Sequence, residues 1–191
     1  MSSTAIRSNT IVDAIIPGTG VLRDSMLVVG GAALTAVCAQ VTIPWQPVPF
    51  TLQTLSVMLC GLTLGAKRGG LSQLLYVTVG ALGMPVFAEG KFGAHVLFGT
   101  TGGYLLTYAF VAALLGWLAD KGWTKSIGKT AAAMAIGDAL ILGIGATWLS
   151  AYIGLVPAIR GGVAPFLLPE VMKAAIVILA LPSAWRILRK E

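Results

Sequence analysis

Apolar residues run along this chain in long blocks separated by short breaks rich in glycine, proline or charge. Neither the strict alternation of a half-buried strand nor the narrow stripe of a surface helix is present, so the blocks predict helices that face apolar surroundings on most sides. Six such helices are expected, over residues 26–43, 52–64, 71–82, 103–119, 131–153 and 166–188. A membrane-crossing helix needs roughly 17–25 residues. The second and third blocks are short by that measure and are expected to begin or end within the membrane's depth. Residues 86–103, with Glu89, Lys91, the only histidine (His95) and five glycines, read as a long ordered loop or re-entrant segment. Residues 154–165 read as a loop with a single cation, Arg160. Near the N-terminus the apolar patch from Ile11 to Ile16 stops at Pro17-Gly18. It is shorter than a signal-peptide core and is expected at the membrane interface.

One break stands apart. Residues 44–53, Pro44-Trp45-Gln46-Pro47-Val48-Pro49-Phe50-Thr51-Leu52-Gln53, cannot be helix, because three prolines remove donors and push Ile43, Gln46 and Val48 toward extended geometry. Such a ribbon needs protein or a wet cavity around its unpaired carbonyls. It reads either as the wall or lid of a pocket or as a plain connector between two helices.

Composition fixes the class. With 57% hydrophobic and 10% charged residues and a mean hydropathy of +0.88, the chain has too little polar surface for a soluble globule. An all-α membrane protein is expected: an N-terminal cytoplasmic or interfacial segment, 1–25, and one bundle of six transmembrane helices, 26–188. The absence of alternation argues against an outer-membrane barrel. Cys38 and Cys60 both fall inside apolar blocks and read as packing thiols. With six spans, one membrane face carries Arg7, Arg23, Lys67, Arg68, Lys121, Lys125, Lys129, Arg186, Arg189 and Lys190, and the other only Lys91, Arg160 and Lys173. The positive-inside rule then puts both termini in the cytoplasm, in a multi-pass plasma (inner) membrane protein. The proline ribbon, the 86–103 segment and the start of the last helix share the outer face.

Candidate chemistry is sparse. Glu170 and Lys173 lie three apart at the start of the last helix, in an otherwise apolar stretch. Charges placed there are costly and face a cavity or each other. They form either a structural salt bridge or a site where a polar small molecule meets both. His95 and Glu89 fall short of a metal-ligand set, and no Gly-x-x-x-x-Gly-Lys-Ser/Thr phosphate loop exists. The run Gly99-Thr100-Thr101-Gly102-Gly103-Tyr104 suggests backbone that approaches a ligand or helix closely. Asp138, alone inside the fifth helix, reads as a hydrogen-bonding core residue or a proton relay. Ala32 and Ala36 put small residues on one face of the first helix, which admits close approach of another helix.

Several motifs together carry a resemblance. They are Ile43-Pro44 with Pro47-Val48-Pro49-Phe50-Thr51-Leu52-Gln53-Thr54; then Tyr76, Gly80 and Gly83-Met84-Pro85-Val86-Phe87-Ala88; then Gly99-Thr100-Thr101-Gly102-Gly103-Tyr104-Leu105; and last Pro165-Phe166-Leu167-Leu168-Pro169-Glu170-Val171-Met172-Lys173. In this order, over residues 32–173, the chain resembles the BioY biotin transporters. Members of that family are substrate-binding S components of energy-coupling factor (ECF) transporters, with six membrane helices and a biotin pocket near the outer face. The resemblance implies that biotin is the transported substrate, with no cofactor, and that it is held by residues drawn from Gln53, Phe87, Lys91, Tyr104, Glu170 and Lys173. Lys91 is the candidate partner of the valerate carboxylate. Ala32 and Ala36 would dock on the transmembrane T component, with ATP hydrolysed by separate subunits. Two positions depart from the family pattern: Thr100 stands where proline is usual and Glu170 where aspartate is usual. Some members are thought to act without the coupling module, as solitary proteins or homo-oligomers. The alternative class is an intramembrane enzyme using Glu170, Lys173 and His95.

Overall fold

The apolar blocks are helical in the computed structural model, which describes residues 10–188; Arg7, Arg189 and Lys190 of the cation count lie outside them. The elements are α1 (Ile11–Ile15), α2 (Val21–Gln40), β1 (Thr42–Ile43), β2 (Phe50–Thr51), α3 (Gln53–Leu64), α4 (Ala66–Ala81), α5 (Ala94–Leu97), α6 (Gly102–Asp120), α7 (Ile127–Ile153), α8 (Leu155–Gly162) and α9 (Leu167–Leu188). Four segments are long and apolar enough to cross a membrane: α2, α6, α7 and the run Leu155–Leu188 that contains α8 and α9. Helix α6 is the most enclosed, with 67% of its span buried, against 17% for α2.

Several assignments differ from expectation; α7 starts at Ile127 rather than 131, and four others have a local reason. Helix α2 starts at Val21 and stops at Gln40, so Thr42 and Ile43 are extended strand although they continue the apolar run. The prolines that follow make that the cheaper conformation. Helix α4 begins at Ala66, and the turn before it is Gly65 alone, with φ +86. The Ala66 N–H donates to Asp120 Oδ2 at 3.2 Å, so a carboxylate from α6 serves the α4 N-terminus. Residues 154–165, expected as a loop, hold helix α8. Its Pro157 falls in the first turn, where a missing N–H costs nothing. The patch from Ile11 to Ile16 folds as α1, capped by Thr10 and packed on α3 and α9 with Ile11 buried.

The proline ribbon is a short hairpin. Thr42 pairs with Thr51 and Ile43 with Phe50, antiparallel, and the Gln46–Pro47 peptide within it is cis. Its aromatic side chains run onto the start of α9: Trp45 lies 5.7 Å from Phe50, and Phe50 stacks on Phe166 at 4.4 Å. Residues 86–103 are ordered, as expected, around a 3-10 turn at Ala88–Gly90 and the single-turn α5. Gln40 Nε2 donates to the Phe87 carbonyl at 3.1 Å, and Trp148 Nε1 to that of Gly99 at 2.9 Å. The Thr100 hydroxyl reaches the Pro47 carbonyl at 3.4 Å, so ribbon and loop meet at one end of the bundle. The opposite end gathers Arg23 and Arg68 around Asp13 and Asp24.

Candidate functional site

The first turns of α9 carry Glu170 and Lys173 into the bundle, where they are 3% and 8% exposed. Two charges so placed are tolerable only if paired and hydrogen-bonded. They are both. Lys173 Nζ donates to Glu170 Oε1 at 2.9 Å, to Thr54 Oγ1 at 2.8 Å and to the Thr51 carbonyl at 2.8 Å. An ammonium has three protons, and all three are directed at protein acceptors. Thr54 Oγ1, at the start of α3, stands 2.9 Å from each Glu170 oxygen. With its one lone pair facing Lys173, its single proton serves the carboxylate. The ribbon therefore does more than connect, because Thr51 and Thr54 at its end hold the α9 ion pair.

Beside this cluster is a partly open cavity. Five of the expected substrate-binding residues line it: Gln53, Phe87, Lys91, Tyr104 and Glu170. Lys173, the sixth, is not part of the lining; its ammonium is hydrogen-bonded to Thr51, Thr54 and Glu170, which are. Phe87 packs so closely on Gly80 that any side chain there would collide with its ring, which accounts for that glycine. Tyr104 likewise lies on Gly145 and donates its hydroxyl proton to the Gly162 carbonyl at 2.9 Å. Gln53 is held at both ends of its amide: Nε2 donates to the Tyr76 hydroxyl at 2.6 Å and Oε1 accepts from the Thr51 hydroxyl at 2.9 Å. Lys91, 53% exposed, pairs with Glu89 at 2.6 Å on the rim.

Two candidates sit elsewhere. His95 is exposed on α5 and is not among the lining residues. Among the described residues no three His, Cys, Asp or Glu side chains come together as a metal-binding group. Ala32, 7% exposed, packs in the core and Ala36 is half-buried beside it; α2 turns Val29, Ala33, Leu34 and Val37 outward. Sequence reasoning missed Thr54 as the link to Glu170, and Tyr108 and Phe166 as further walls. Thr54 and Phe166 lie within the motifs quoted above, but only the fold shows what they touch.

Over residues 7–190 the sequence matches the BioY family. The chain belongs to that family. It is 39% identical over 158 residues to the probable biotin transporter BioY of Pyrococcus horikoshii, covering 82% of this chain and 93% of the relative. It is 40% identical over 148 residues to the biotin transporter BioY of Thermotoga maritima, covering 77% and 86%. The fold is similar to the crystal structure of the S-component for biotin from an ECF-type ABC transporter, with a TM-score of 0.77, 26% identity, and 89% of this chain and 92% of that chain covered. Every cavity residue named above falls within the stretch matched to the BioY family.

Proposed function

We propose that this chain is the biotin-capturing S component of an ECF-type transporter and not an enzyme. The observation that carries the reading is the cavity, lined on one side by buried Glu170 with its Lys173 partner behind it, in a chain whose relatives are named as biotin transporters. Apolar and aromatic walls, Phe87, Tyr104, Tyr108 and Phe166, suit the fused ring, and a few convergent polar groups suit its ureido edge. Glu170 is the acceptor for ureido N–H, and Lys173 positions it. Gln53 fixes the floor of the same wall. Lys91 at the rim leaves Glu89 for the valerate carboxylate, which carries the same charge. The enzyme alternative loses its third group, since His95 is on the surface.

In this reading α2, α3, α4, α6, α7 and α9 are the six spans, the cation-rich end and both termini face the cytoplasm, and the cavity faces outward in the plasma membrane. A T component and separate ATPase subunits supply the driving force. Docking falls on α2, the least enclosed span, through Ala36 with Ala33 and Val37 beside it, while Ala32 sets how tightly α2 packs on the bundle. Calorimetric titration of the purified protein with biotin tests the reading. Saturable one-to-one binding is expected, and the absence of both heat and retained radiolabelled biotin would exclude it.

A further inference from the structure

Glu170 separates two spaces. It lines the cavity, and it also lines a groove between α7 and α9 whose other walls are almost wholly apolar. Asp138, near the middle of α7, lines that groove together with Glu170. Its Oδ1 is buried without a hydrogen-bond partner. The charged groups facing Asp138 are Glu170 and Lys173, both from α9. Lys173 has no donor to spare, since its three N–H groups go to Glu170, Thr54 and Thr51. One ammonium thus stands against two carboxyl groups in an apolar setting. Two bare carboxylates are acceptors only and repel, so contact between them requires a proton on one.

We propose that Asp138 carries that proton and is a positioning residue of the biotin site, donating its O–H to Glu170. Lys173 and Thr54 hold the Glu170 carboxylate from the α3 side and Asp138 holds it from the groove side. Its remaining lone pairs are left for the cavity. This rests on the reading of Glu170 as the ureido acceptor. It also explains how an acid is tolerated in the middle of a 27-residue span, where an unpaired charge would be costly.

The test uses the full-length purified protein in lipid nanodiscs. Asp138→Asn keeps a donor of similar shape and is expected to bind biotin within about threefold of the parent. Asp138→Leu removes the donor and is expected to weaken binding roughly 10- to 100-fold, the range for a lost hydrogen bond to a charged group. In the infrared, the carbonyl band of a protonated carboxylic acid is expected in the parent and absent in Asp138→Asn, a readout that does not need Asp138→Leu to fold. Normal biotin affinity in folded Asp138→Leu, or no acid carbonyl band lost in Asp138→Asn, overturns the proposal. Glu170→Gln measured alongside separates the two levels: if it binds biotin normally, the site reading itself fails, whatever Asp138 does.

Discussion

The Thr54 hydroxyl stands 2.9 Å from both oxygens of Glu170, across 116 residues of chain, while accepting from Lys173 at 2.8 Å. One hydroxyl thus joins the proline ribbon's exit to the entry of the last helix. Thr54→Val keeps the shape and removes the link, leaving Glu170 one donor short and Lys173 one acceptor short. Unsatisfied buried groups of this kind cost about 1–3 kcal/mol. Biotin affinity is expected to fall roughly 5- to 150-fold, read by calorimetry. An unchanged Kd would mean that the carboxylate is oriented by other groups.

Glu170 and Lys173 are expected to respond differently. Truncating one member of a buried charge pair costs about 2–5 kcal/mol, or roughly 30- to several-thousand-fold in affinity. Glu170→Gln removes the acceptor charge at the cavity and should lose binding with folded yield nearly unchanged. Lys173→Met, whose ammonium does not line the cavity, should lose both binding and thermal stability because it strands Glu170. If both variants unfold readily yet the folded fraction binds biotin normally, the pair is structural and the ligand sits elsewhere.

Ala32 and Ala36 separate folding from assembly. Ala32→Leu adds bulk to a packed interior and is expected to lower stability by about 1–3 kcal/mol, seen as a lower Tm. Ala36→Trp, at the margin, should bind biotin as the parent does yet fail to co-purify with a T component, because bulk blocks close helix approach. Normal co-purification of Ala36→Trp would place docking on another face.

Acid should loosen the opposite end of the molecule through Asp13. Burial pushes its carboxyl up, but hydrogen bonds from Arg68, Thr10 and Arg23 outweigh that and hold it well below the usual carboxylate range. A group depressed in the folded state stabilises fully above its unfolded pKa, about 3.9, and that contribution is lost as pH falls below it. The Tm of the parent should therefore drop between pH 5 and pH 3 by more than that of Asp13→Asn. Parallel curves for the two proteins would show that the ion-pair cluster does not report on folding.

Much of the molecule is written locally. Runs of apolar residues are read without any partner, because lipid demands only hydrophobicity and satisfied backbone, and so the membrane class and most helices follow from the sequence alone. The extended ribbon follows from proline geometry, and Glu170 and Lys173 stand out because charges are rare in such segments. Motif order carried the family, and with it Gln53, Phe87, Lys91 and Tyr104 as cavity residues. Helix α8 was hidden because glycine and proline signal a break locally, whereas here Gly161 and Gly162 are selected by the approach of Pro47 and Tyr104. The direction in which a side chain points depends on helix rotation and on contacts far away in sequence. Only the tertiary structure could engage Lys173 with Thr51 and Thr54, put Ala32 inside, leave His95 outside, bring Thr54 to the Glu170 carboxylate, and set Asp138 in the same groove as Glu170.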